Sequence, residues 1–160
     1  MSIISSILEL VITAAVAAAP GEICKVRDCH DGDTCTLICA GQKTKVRLHC
    51  IDAPEMQQAG WGRESRDTLR KRLPDWSTVE LRRIETDKYG RTVGVLYQDQ
   101  VNINLQLVQS GWAAVYPKHC RENVYYQAQG DAEKNRRGIW QTDGLQQRPW
   151  DWRKLQRERM

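Results

Sequence analysis

Residues 46 to 55, reading Val-Arg-Leu-His-Cys-Ile-Asp-Ala-Pro-Glu, set a guanidinium on an apolar run that ends in two carboxylates. Strand periodicity alternates side chains between faces, so Arg47, His49 and Ile51 are expected on one side and Val46, Leu48 and Cys50 on the other. Pro54 fixes its own backbone torsion and keeps Ala53 extended, which presents Glu55 in a set direction. One strand end then carries Arg47, Asp52 and Glu55. Carboxylates hold a hard cation and an arginine fork grips a tetrahedral anion, so this combination suits a metal and a phosphate bound side by side. Two other polar clusters could join it, Asp31-Gly32-Asp33 and Glu85-Thr86-Asp87-Lys88-Tyr89-Gly90-Arg91. Taken alone, the first reads better as plain turn chemistry, and Arg47 and Arg91 better as structural ion-pair partners of Asp31, Asp52 or Glu55.

The elements that must position these groups follow from periodicity. Alternation predicts strands over Glu22 to Arg27 and Thr34 to Cys39, separated by the acidic turn, and a third over Thr44 to Ile51. A charged helix is expected from Arg63 to Leu73, where Ser65, Leu69 and Arg72 share helical spacing and Pro74 stops the run. Strands over Ser77 to Ile84 and Thr92 to Tyr97 flank the second polar turn. Helices are expected from Val101 to Ser110, with Gly111 as cap, and from about Arg121 to Arg137, where Gly130 costs roughly 1 kcal/mol relative to Ala. This order predicts an α+β protein: a five-stranded Greek-key barrel of the oligonucleotide/oligosaccharide-binding type (OB-fold) with about three α-helices and one binding face.

A chain of 160 residues has room for one core of ordinary size. Residues 1 to 19 contain no Lys or Arg and an apolar run from Leu10 to Ala19, too short to span a bilayer. They read as a signal peptide, with Ala15-Val16-Ala17 as a candidate cleavage site and a frayed helix as the alternative. The domain is expected over residues 20–142, followed at 143–160 by a basic tail whose Pro149-Trp150-Asp151-Trp152 docks on it. The formal charge of +4 favours a polyanion without requiring one. Six cysteines, none with Cys-x-x-Cys spacing, argue against zinc and for an oxidising compartment. A hairpin about Gly32 would set Cys24 near Cys39 and Cys29 near Cys35, as bridges or as small buried residues.

Three blocks in order, Asp31-Gly32-Asp33-Thr34, Arg47-Leu48 with Ile51-Asp52-Ala53-Pro54-Glu55, and Asp87-Lys88-Tyr89-Gly90-Arg91, resemble the staphylococcal nuclease (thermonuclease) family of calcium-dependent phosphodiesterases. Weaker agreement at Val101-Asn102, Ser110-Gly111-Trp112-Ala113 and Arg137-Gly138-Ile139-Trp140 extends the resemblance over about residues 23 to 140. The resemblance implies Ca2+ held by Asp33, Asp52 and the peptide oxygen of Ala53, with Asp31 acting close by or through water. Many family members have Thr at the position of Ala53, a change that spares a backbone ligand. It further implies Arg47 and Arg91 as phosphate-gripping cations and Glu55 as the group that orients or deprotonates the attacking water. Lys88, Tyr89 and Tyr116 are implied to line the nucleotide site.

The implied activity is an exported, monomeric, calcium-dependent nuclease cutting DNA and RNA, single strands favoured, with little sequence preference. Replacing Arg47 or Arg91 by Ala is then expected to cost transition-state stabilisation while leaving the fold intact. The competing readings are a non-catalytic nucleic-acid-binding barrel and a plasmid-borne intracellular nuclease used in DNA transfer or maintenance.

Overall fold

The computed structural model describes residues 20–160; the expected signal segment lies outside the described residues. Strands β1 (Glu22–Cys29) and β2 (Thr34–Cys39) form the hairpin that alternation predicts, with the acidic turn at its tip. The two cross-strand pairs Cys24 with Cys39 and Cys29 with Cys35 are both disulfides. Strand β3 (Gln42–Leu48) continues the meander antiparallel to β2.

The next stretch departs from the expected continuous strand. β3 ends at Leu48 and a separate two-residue strand, β4 (Ile51–Asp52), begins after a kink in which Cys50 has φ 69°. Alternation therefore fails at Ile51, which is buried rather than sharing the more open face of Arg47 and His49. A third disulfide holds the kink, because Cys50 is bonded to Cys120, far along the chain.

Helix α1 (Trp61–Arg72) follows, then the long hairpin of β5 (Thr78–Thr86) and β6 (Thr92–Gln98). β1 pairs with β5, and β3 pairs in parallel with β6, so β1, β2, β3, β6 and β5 close into a five-stranded barrel. The OB-fold topology expected from sequence is thus present. Val26, Leu37, Val46, Leu48, Leu81 and Leu96 fill the interior, joined by Leu69 of α1. Although α1 is largely polar, it buries Gly62, Ser65 and Leu69, the face that meets the barrel.

Short strand β7 (Val101–Asn102) leads into α2 (Ile103–Gln109), whose first turn is capped by the Asn102 side chain accepting from the Leu105 N–H at 2.9 Å. β8 (Ala114–Val115) pairs antiparallel with β4, and α3 (Asn123–Lys134) packs on α2. A fourth helix, α4 (Pro149–Glu158), was not expected: the basic tail folds into it, with Pro149 at its first position. Among the described residues no helix is long and apolar enough to cross a membrane.

Candidate active site

A cleft of about 730 Å³ opens at one end of the barrel, lined by Asp31, Asp33, Arg47, Asp52, Ala53 and Glu55 on one side. Lys88, Tyr89, Arg91 and Tyr116 line it as well, so every residue singled out from sequence borders the same cavity.

Register places the first group. Thr34 of β2 lies opposite Arg47 of β3, and the Leu48 N–H donates to the Asp33 carbonyl at 2.8 Å. The hairpin tip is thereby pinned beside the end of β3, and Asp33 Oδ2 comes within 3.3 Å of Arg47 Nη2. The tip is folded by Asp31, whose Oδ1 accepts from the Asp33 N–H at 3.0 Å. Gly32 is required by space: a Cβ there would stand 2.6 Å from the Ala53 Cβ and 2.7 Å from the Ser65 Cβ. The turn is therefore wedged between the motif strand and α1, which plain turn chemistry does not demand.

The kink places the second group. Arg47 Nη1 donates to the Leu48 carbonyl at 3.2 Å and to the Ile51 carbonyl at 2.9 Å, while Nη2 donates to Asp52 Oδ1 at 3.1 Å. One guanidinium thus ties the kinked backbone to the carboxylate beyond it. Pairing of Asp52 with Ala114 of β8 fixes the strand behind that carboxylate, and the Ala53 N–H donates to Asp33 Oδ2 at 2.6 Å. Glu55 sits in a turn closed by Gln58, whose Oε1 accepts from the Glu55 N–H at 2.8 Å. Gly62 lets α1 press on this turn, since a Cβ there would lie 2.0 Å from the Glu55 carbonyl oxygen.

The Tyr116 N–H donates to the Cys50 carbonyl at 2.9 Å, which brings its ring to the cleft next to the kink. Asp87 organises the β5–β6 turn, which also lines the cleft. Its Oδ1 accepts from the N–H groups of Tyr89 and Arg91 at 2.9 and 3.0 Å, and its Oδ2 from Arg91 Nε at 2.7 Å. Arg91 is therefore aimed by Asp87, and Tyr89, 72% exposed, projects from the same turn with Lys88 and Arg91 over its ring. His30 and His49 pair with Asp28 and Glu122, and His49 also lines the cleft.

Burial crowds acids here. Burial itself, with the neighbouring charge of Asp33, pushes the Asp31 carboxyl up to about 7. Burial likewise raises Asp52 to about 6, against the lowering effect of hydrogen bonds from Arg153. A site that concentrates costly negative charge in this way favours a cation. Its donors are all oxygen, which suits a hard divalent ion rather than zinc or copper. Among the described residues, the only His, Cys, Asp or Glu triplets with ligand atoms within 4.8 Å of one another contain disulfide cysteines. Asp31, Asp33 and Asp52 do not form such a triplet.

One group in the cleft was not anticipated. Arg153 of α4 donates to Asp52 through Nη1 to Oδ1 at 3.1 Å and Nη2 to Oδ2 at 2.8 Å, and through Nη1 to Glu55 Oε1 at 2.7 Å. Although its own burial opposes this, these carboxylates hold the Arg153 guanidinium firmly protonated. The sequence signal that could have found it is Pro149 as a helix start, with Arg153 and Arg157 one turn apart on the side that lines the cleft.

The chain is a closed barrel of the oligonucleotide/oligosaccharide-binding type with an acidic, arginine-flanked cleft. The sequence profile described as Staphylococcal nuclease homologue matches residues 45–142, and the chain belongs to that family. It is 35% identical to an uncharacterized endonuclease of Haemophilus influenzae over 99% of this chain and 88% of the relative. It is 34% identical to a micrococcal nuclease of Shigella flexneri over 96% of this chain and 91% of that one.

Proposed function

We propose that this chain is a calcium-dependent phosphodiesterase that hydrolyses DNA and RNA, with single strands favoured and little sequence preference. The observation that carries the reading is the meeting, in one cleft, of Asp31, Asp33, Asp52 and Glu55 with the guanidinia of Arg47 and Arg91. Named nucleases among the relatives that cover most of this chain support it.

Asp33, Asp52, the Ala53 carbonyl and Asp31 would hold the ion, which when bound supplies Lewis-acid charge to a phosphoryl oxygen and to water. The protein's own groups do the rest. Arg47 of β3 and Arg91, just before the neighbouring parallel strand β6, both line the cleft and stabilise charge that builds on the equatorial oxygens as water attacks phosphorus. Glu55 orients that water or takes its proton, and the leaving sugar oxygen departs opposite the attack. Tyr89 offers an exposed ring face on which a base can stack, Tyr116, already stacked on Trp150, also lines the site, and Lys88 offers a backbone contact; none of these reads a base edge, which fits weak sequence preference. Stacking on exposed rings requires an unstacked base and favours single strands.

Export and a monomeric state belong to the same proposal, and the three disulfides among the described residues support an oxidising compartment. The test is hydrolysis of a single-stranded DNA, a duplex and an RNA oligonucleotide with calcium, with magnesium and with chelator. Calcium-dependent cleavage, fastest on single strands, supports the reading. Binding without cleavage under every condition would replace it with the non-catalytic barrel.

A further inference from the structure

Among the described residues, the Glu55 carboxylate has one hydrogen-bond partner, Arg153 Nη1 at 2.7 Å from Oε1. The same guanidinium meets both oxygens of Asp52, at 3.1 and 2.8 Å. A guanidinium is planar and its N–H directions are fixed, so a fork shared by two carboxylates sets their relative position. Arg153 reaches them from α4, beyond residues 45–142 where the family profile matches.

The helix that carries it is anchored beside the site. Trp150 stacks on Tyr116 with ring centroids 5.4 Å apart and planes 10° from parallel. Pro149 is buried, and the Arg153 guanidinium carbon lies 6.0 Å from the Tyr116 ring centroid. Tyr116 is itself tied to the kink through the Cys50 carbonyl, so α4, the kink and the carboxylates form one connected unit.

We propose that Arg153 is a positioning residue for phosphodiester hydrolysis: it orients the Glu55 carboxylate toward the attacking water by locking it to Asp52, which makes α4 part of the active site. This rests on the nuclease reading above. A glutamate side chain in a turn samples several rotamers, and only one presents a carboxylate oxygen to a given water. Engaging Oε1 selects that rotamer and leaves Oε2 without a hydrogen bond to the protein among the described residues. The cost of this order is met by the Trp150 and Tyr116 stack, not by the reaction.

The test compares kcat and KM of the full chain for a fluorescent single-stranded DNA oligonucleotide, with thermal unfolding as a control for folding. Arg153→Gln is expected to lower kcat about 10–100-fold, the usual loss for a partner that orients a reacting group, with little change in KM. Arg153→Lys should recover part of that loss, because it keeps the charge but cannot fork between two carboxylates. In a Glu55→Gln background, Arg153→Gln should add almost nothing, since both changes disable one unit. Wild-type kcat in Arg153→Gln would overturn the proposal. So would a raised KM at unchanged kcat, which marks a direct phosphate contact, or losses that add in the double variant.

A readout without turnover accompanies it. In the wild-type chain the Arg153 side-chain NMR signals should report restricted rotation, and Glu55→Gln should release it; indifference to that change would contradict the contact. An inactive wild-type chain sinks the nuclease reading and Arg153's place in hydrolysis together. An active one with an indifferent Arg153→Gln sinks the Arg153 role alone.

Discussion

Arg47 Nη1 donates to the carbonyl of Ile51 at 2.9 Å, across the kink that separates β3 from β4. A side chain expected to face a phosphate is therefore also the brace of the backbone turn that aims Asp52. With its side chain 14% exposed against Asp52 at 1%, this is a nearly buried ion pair.

That relationship separates two substitutions that sequence alone treats alike. Arg47→Ala leaves the Asp52 charge and the kink carbonyls without this donor and is expected to cost about 3–5 kcal/mol of stability as well as activity. Arg91→Ala breaks a more open pair with Asp87 and should cost at most about 1 kcal/mol of stability while lowering kcat about 10²–10³-fold. Denaturant unfolding alongside turnover checks both. An Arg47→Ala chain as stable as wild type would contradict the bracing role.

The acidic cluster predicts an unusual pH response. Asp31 and Asp52 have folded pKa values of about 7 and about 6 against an ordinary 3.8, so the native state binds more protons than the unfolded chain between these values. Stability in chelator should therefore fall as pH rises through that window. Asp87 and Glu122, whose pKa values are lowered, act in the opposite sense at more acid pH. Melting temperature measured from pH 5 to 8 should show the fall, weakened in Asp31→Asn and, on the proposal that the folded site binds calcium, offset by adding it. A melting temperature in chelator that climbs steadily over this range, unaffected by Asp31→Asn, would contradict the crowding.

Gly32→Ala is expected to cost about 1–3 kcal/mol, because a Cβ would press on both Ala53 and Ser65. The strain falls between the hairpin tip and the motif strand, so calcium affinity should drop with it. Isothermal titration and unfolding report the two effects; an unchanged chain by both would show that the turn has room to move.

The Cys50–Cys120 bond closes a loop of sequence separation 70 around the kink and the Tyr116 segment. Replacing both cysteines by Ala should cost roughly 4 kcal/mol, while reduction of the short Cys29–Cys35 loop should cost less. Thermal unfolding of the paired variants tests the order.

What was legible in the sequence was local. Asp33, Arg47, Asp52, Glu55 and Arg91 sit in short blocks at turns and strand ends, where residue type and spacing carry the signal, and the structure gathers all of them in one cleft. The barrel followed from alternation and helical spacing. The break at Cys50 was hidden because strand periodicity continues through it in sequence while a φ of 69° and the Arg47 brace override it in space. Arg153 was hidden for another reason: it stands 101 residues from Asp52, and although Pro149-Trp150-Asp151-Trp152 marks the tail as docking, nothing in the sequence tells where on the domain it docks. The third disulfide was similarly long-range, whereas the two within the hairpin were set by strand register.

The central claim is that the cleft is a hydrolytic site and not a binding surface. The most direct measurement is single-turnover cleavage of one single-stranded DNA oligonucleotide in calcium by the wild-type chain and by Glu55→Gln, with oligonucleotide affinity measured in parallel. Rapid cleavage by the wild type is expected, with a loss of at least about 100-fold in Glu55→Gln and affinity nearly unchanged between them. Equal cleavage by the two chains, or none by either despite tight binding, would contradict the claim.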